Sequence, residues 1–125
     1  MNQLIDFRKA ADAYRRNYGE PPLLNGDFYA LCAAVCDEIS PLVRHNARFD
    51  DIRLLNLAAA GVRYTLAVRE ASSQGGAVSF KAGDVAVTSD FGSVLARAED
   101  EKKRRLESAL PLLEDSGFCF MQVKI

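Results

Sequence analysis

Histidine occurs once in this chain, at His45, and cysteine three times, at Cys32, Cys36 and Cys119. Three scattered cysteines cannot form the dense disulfide framework of a small secreted domain, and an odd count with no leader pattern over residues 1–13 points to a reduced, intracellular chain. No charge dominates either: Lys plus Arg is 16, Asp plus Glu is 17, and the net charge is -1. A near-neutral chain is not a strongly basic nucleic-acid binder, whose affinity needs an excess of cations facing phosphates. Long apolar runs are missing as well. The mostly apolar stretch 54–62 is far below the roughly 18 residues a membrane-spanning helix requires. No Gly-x-Gly-x-x-Gly or Walker pattern occurs to cradle phosphates, and no Gly-x-Ser-x-Gly segment to hold a nucleophile.

What remains is ordinary globular material. The 125 residues are 49% hydrophobic and 26% charged, enough for one domain with a real core. Leu4, Phe7, Ala11, Tyr14 and Tyr18 recur at steps of three and four, which predicts a helix over 2–18. Gly19 stands where a C-cap favours left-handed backbone, and Pro21-Pro22 blocks continuation. A second helix is expected over 27–44, capped by Asn25 or Asp27 and striped by Phe28, Leu31, Cys32, Val35, Ile39 and Leu42, with Pro41 ending or kinking it near Ser40. The third, over 51–71, starts at Asp50-Asp51 and is apolar on nearly every side, the mark of a central helix. Ala58, Ala59, Ala60 and Gly61 would let neighbours approach it closely.

Residues 77–88 alternate. Val78 and Phe80 share one face, Val85 and Val87 another, with Lys81-Ala82-Gly83-Asp84 between them, so a β-hairpin with a Gly bulge is expected. A fourth helix is expected over 93–114. Its charged middle offers three acid-to-base pairs at i,i+4, namely Glu99–Lys103, Asp100–Arg104 and Glu101–Arg105, so it is expected to stand clear of the core there or lie over its edge. Residues 118–124 read as a C-terminal strand. Phe118 and Phe120 point one way, and Cys119, Met121, Val123 and Ile125 the other. Such a strand needs an edge to pair with, in the hairpin or in a neighbouring subunit. The expected fold is thus mainly α, about four helices in antiparallel packing with a β-hairpin and a C-terminal β-strand, as a single domain over 1–125.

Candidate chemistry is sparse. Cys32, Cys36, Cys119 and His45 could in principle hold zinc, but the spacing lacks the paired short-loop pattern, and Cys32 and Cys36 sit in an apolar stripe as small hydrophobes. His45 with Asp50, Asp51 and a serine permits a catalytic triad only on paper, and a helix-end role for the imidazole is the simpler reading. Lys102-Lys103-Arg104-Arg105 is basic, but Glu99-Asp100-Glu101 cancels most of its field, which makes it a solvated, self-paired face. Tyr14, Tyr18, Phe28 and Tyr29 are read as core contacts, with an interface as the alternative. No catalytic residue, cofactor or metal is assigned.

One ordered set of segments carries a resemblance. An Ala-rich helix ends Val62-Arg63-Tyr64. Gly75-Gly76, Ser79-Phe80-Lys81-Ala82-Gly83-Asp84-Val85-Ala86-Val87-Thr88, Leu110-Pro111-Leu112-Leu113 and Asp115-Ser116-Gly117-Phe118 follow. Over residues 51–123 this resembles small proteins of the structural gene cassettes of tailed phages and Firmicute prophages, and is similar in layout to head–tail connector, or head-completion, proteins. The resemblance implies a non-enzymatic virion assembly protein that self-associates into a ring and meets portal, tail or neck proteins, in the bacterial cytoplasm or the virion. It implies no membrane and no specific nucleic acid. Val78, Phe80, Lys81, Val85, Val87, Phe118, Phe120, Met121 and Val123 become the expected interface. Two other readings stay open: a small intracellular adaptor or regulatory domain that binds a host protein through an apolar surface, and a small enzyme built from unremarkable residues.

Overall fold

The structure is a computed structural model, and it describes residues 4–78 and 85–114, with side chains assigned for 4–72 and 93–114. Among these, four helices pack together: α1 (Phe7–Tyr18), α2 (Asn25–Ile39), α3 (Ile52–Val78) and α4 (Val85–Ala109). Helix α1 begins where the Asp6 carboxylate accepts the Arg8 N–H at 2.9 Å. It ends where Gly19, at φ 84°, donates its N–H to the Arg15 carbonyl at 3.0 Å. Only glycine occupies that backbone region without strain. Helix α2 starts at Asn25, two residues earlier than expected. Leu24 is its N-cap and makes no side-chain cap, so neither Asn25 nor Asp27 plays that part. Asp27 instead lies in the first turn, where its charge suits the helix dipole. Asp51 does cap α3, accepting the Arg53 N–H at 2.9 Å.

Helix α2 ends as Pro41 requires, in a 3-10 turn, Ser40–Leu42, followed by extended Val43. Helix α4 ends in the same way: the turn Leu110–Leu112 contains Pro111 and is followed by extended Leu113. The two ends meet. Val43 and Leu113 form an antiparallel bridge, in which Arg44 N–H donates to the Leu112 carbonyl and Glu114 N–H to the Leu42 carbonyl, both at 2.8 Å. Arg44 Nε adds a bond to the Leu113 carbonyl at 2.8 Å. Both bridged side chains are buried. Beside this bridge, buried Ser40 accepts the Ile5 N–H at 2.9 Å and donates to the Cys36 carbonyl at 2.6 Å, which ties the N-terminal segment to the end of α2.

Helix α3 is the centre of the core, as its composition predicts. Leu54, Leu55, Leu57, Ala58, Ala59, Ala60 and Val62 are all buried, and α1, α2 and α4 each pack on it. The expected β-hairpin is corrected in part. Residues 77–78 and 85–88, which were to be its arms, are the helical ends of α3 and α4, whereas 79–84 and the expected strand over 118–124 lie outside the described residues. The physical reason is cooperativity. Each residue added to an existing helix gains a backbone hydrogen bond, and valine disfavours helix by only about 0.5 kcal/mol relative to alanine.

Helix α2 lies tight against α3 at Gly61, where a Cβ would lie 3.0 Å from Val35 Cγ1. Gly61→Val is therefore expected to lower the unfolding free energy by about 2 kcal/mol through overpacking. Val35→Ala should recover part of that loss. Urea unfolding of the two single variants and the double variant measures the coupling, and strict additivity would show that the two side chains do not compete for this space.

Candidate functional site

A surface cleft of about 460 Å³ opens where α1, α3 and α4 meet, lined by Tyr14, Asn17, Tyr18, Arg63, Glu101 and Arg105. Helix α1 contributes three of these from its last turns, where Tyr14 packs edge-on against both Tyr18 and Phe28. Helix α3 contributes Arg63, the first residue after its buried stretch ends at Val62. Helix α4 contributes Glu101 and Arg105 from one face, one turn apart.

Glu101 is the hub. Its Oε1 accepts from Arg63 Nη1 at 3.1 Å, and its Oε2 accepts from the Tyr18 hydroxyl at 2.8 Å and from Arg105 Nη2 at 3.4 Å. Its side chain is only 19% exposed, against 31% and 33% for the two arginines. The Arg63 guanidinium also lies over the Tyr18 ring, 4.8 Å from its centroid. From the cleft lining, Asn17 Nδ2 donates to Asn56 Oδ1 at 3.0 Å, which adds a second polar tie between α1 and α3. Burial, helped by the hydrogen bond to the Glu101 carboxylate, pushes the Tyr18 phenol up to about 12.

The charged middle of α4 is thus not merely a solvated face. The Asp100–Arg104 pair forms at 3.7 Å on the outside as expected, but Glu101 faces inward and carries two other helices with it. Lys102 adds a cation–π contact, 4.7 Å from the Tyr64 ring centroid. Of the aromatic group near the first linker, Tyr14 and Phe28 are core and Tyr29 is partly buried against it, with Arg15 over the Phe28 and Tyr29 rings. The sequence reading missed Tyr18, Arg63 and Glu101 as a set. One signal was available, an arginine interrupting an otherwise apolar helix at position 63.

The other candidates fall elsewhere. Cys32 and Cys36 are buried free thiols in the core, and burial pushes them up to about 11 and about 12. His45 is exposed in the loop after the bridge. No group of three or more metal-ligating side chains occurs among the described residues. Of the expected interface residues, Val78, Val85 and Val87 lie in helix, while Phe80, Lys81, Phe118, Phe120, Met121 and Val123 fall outside the described residues. No helix among the described residues is long and apolar enough to cross a membrane.

Glu101→Ala leaves Tyr18, Arg63 and Arg105 without their shared acceptor and is expected to cost about 2 kcal/mol of stability, with Glu101→Gln costing less, as read by urea unfolding. A second expectation follows from Tyr18, Cys32 and Cys36, which are held protonated by the fold. Their contribution to stability is complete below pH 9, where the unfolded thiols are still neutral, and is lost as pH rises toward 12. Thermal unfolding from pH 8 to 11 should show this decline, and Cys36→Ala should flatten it. Comparison with family models, with curated proteins and with solved structures finds no match for this chain.

Proposed function

We propose that this chain is a non-enzymatic assembly protein of the head–tail connector kind, working as an oligomer. The observation that supports this reading is a mismatch of helix lengths. Helix α3 has 27 residues and α1 only 12, so α3 runs about 40 Å against about 18 Å. Burial on α3 stops at Val62: from Arg63 to Ser72 every residue is half-buried or exposed. On α4 the first buried side chain among the described residues is Ala98, and Val94 before it is 44% exposed. Helices α3 and α4 therefore continue as a pair beyond the part that α1 and α2 cover. In an isolated chain such a two-helix extension gains little from burial. In a ring of identical copies, the extension of one copy has a neighbour to pack against.

The segments that resemble connector proteins lie in this same half of the chain, including the stretch that joins α3 to α4. The cleft fits a structural role as well, because its one carboxylate is fully engaged in holding three helices together. A ring contact of this kind is heterologous, one surface meeting a different one on the next copy.

Native mass spectrometry across a concentration series tests the reading. A closed oligomer of about six or more copies is the expected result. Val94→Asp should shift it toward monomer without loss of helix by circular dichroism. A monomer at every concentration, or a Val94→Asp variant that assembles like the parent, counts against it.

A further inference from the structure

The cleft at the junction of α1, α3 and α4 has features that a purely internal clamp does not need. It brings two guanidiniums to one carboxylate, a local surplus of one positive charge. A guanidinium has five N–H donors. Glu101 engages Arg63 through Nη1 and Arg105 through Nη2, so one carboxylate oxygen on each leaves most of each planar fork unused by it. Both arginines are about one-third exposed and line an open space of about 460 Å³, within the range of small-ligand sites. The Arg63 guanidinium also rests over the Tyr18 ring, 4.8 Å from its centroid, a contact that restrains it before a ligand arrives.

We propose that this cleft is a docking site for a carboxylate side chain of a protein partner, received by Arg63 and Arg105 beside Glu101. The balance of charge decides for a carboxylate over a phosphate. One carboxylate neutralises the surplus of one. A phosphate near pH 7 carries between one and two charges and would leave the site net negative, next to Glu101. The arrangement already shows its complementarity, since the chain's own carboxylate sits there in charge-assisted hydrogen bonds. The cleft is lined by polar groups together with Tyr14 and Tyr18, with no deep apolar pocket to demand a large hydrophobic ligand. The incoming group is therefore a short acidic side chain, aspartate or glutamate, on an exposed surface. This site does not require the chain to form a ring, and it can fail or stand independently of that reading.

The test uses glutamate capped as its N-acetyl amide, a monoanion, titrated into the full-length protein at pH 7. The arginine Nε–H signals are followed by NMR at constant ionic strength. Saturable shifts confined to Arg63 and Arg105 are expected. Arg105→Gln should weaken binding about tenfold, whereas Arg104→Gln, whose partner Asp100 lies outside the cleft, should leave it unchanged. Glu101→Gln removes the competing negative charge and should tighten binding, which keeps the test decisive if Arg105→Gln folds poorly. Shifts that sodium chloride alone reproduces, or equal effects of Arg104→Gln and Arg105→Gln, would overturn the site. Tighter binding of inorganic phosphate than of the capped glutamate would overturn the carboxylate assignment.

Discussion

Everything in this fold leans on how closely other helices can approach α3 between Leu54 and Val62. Three helices pack on α3, whose buried residues run from Leu54 to Val62. They can do so because Ala58, Ala59, Ala60 and Gly61 present almost no side chain, so backbones come near and the larger residues of α1 and α2 fill the spaces between them. At Gly61 the approach is tight, because an added Cβ would meet Val35 Cγ1 at 3.0 Å. A glycine inside a helix costs about 1 kcal/mol relative to alanine, and its presence opposite Val35 shows that close packing outweighs helix propensity there. The aromatic group of Tyr14, Tyr18, Phe28 and Tyr29 then covers the side of this core that small residues cannot fill.

The ends of the bundle are held differently. Apolar packing sets distance but not register, and two polar devices supply the register. One is the bridge between Val43 and Leu113, where two proline-containing turns bring the ends of α2 and α4 together and pair their backbone groups. The other is Glu101, whose three hydrogen bonds fix α1, α3 and α4 against each other at the point where burial on α3 stops. Their energetics differ. The bridge satisfies backbone groups that would otherwise be stranded after each helix end. The Glu101 cluster is partly exposed, so its net worth lies nearer to that of ordinary hydrogen bonds than to a bare Coulomb estimate.

Much of this was legible in the sequence, and the reasons differ by element. The apolar stripe of α1, the glycine at 19, the prolines at 41 and 111 and the aspartate at 51 are local signals, each acting within a turn of where it stands. The apolar surface of α3 announced a central helix because nothing else tolerates apolar residues on every side. What could not be read was set by distant partners. Alternation over Val78, Val85 and Val87 is too short to separate strand from helix when each helix has a long partner to lie against. Glu101 looked complete as half of an i,i+4 pair with Arg105, and that local consistency hid its second role with Tyr18 and Arg63. The bridge did have a trace: Ser40-Pro41-Leu42-Val43 and Leu110-Pro111-Leu112-Leu113 share the pattern of Pro, Leu and an apolar residue at the ends of two helices.

These elements divide the molecule into a finished part and an unfinished one. Around Leu54 to Val62 the described side chains are packed and the polar atoms paired, and no buried side-chain nitrogen or oxygen lacks a partner among the described residues. Beyond Arg63 no described side chain of α3 is buried, and apolar residues such as Leu66, Val68, Val94 and Leu95 are only partly shielded. A two-helix segment is a weak independent unit in water, because each helix can bury only one face against the other. Helix α3 reaches about 40 Å in all where α1 spans about 18 Å, and burial on it stops at Val62. Reach of that kind has a physical use where the missing surface is supplied from outside, and the cleft at the root of the extension, with its surplus of one positive charge, faces the same junction.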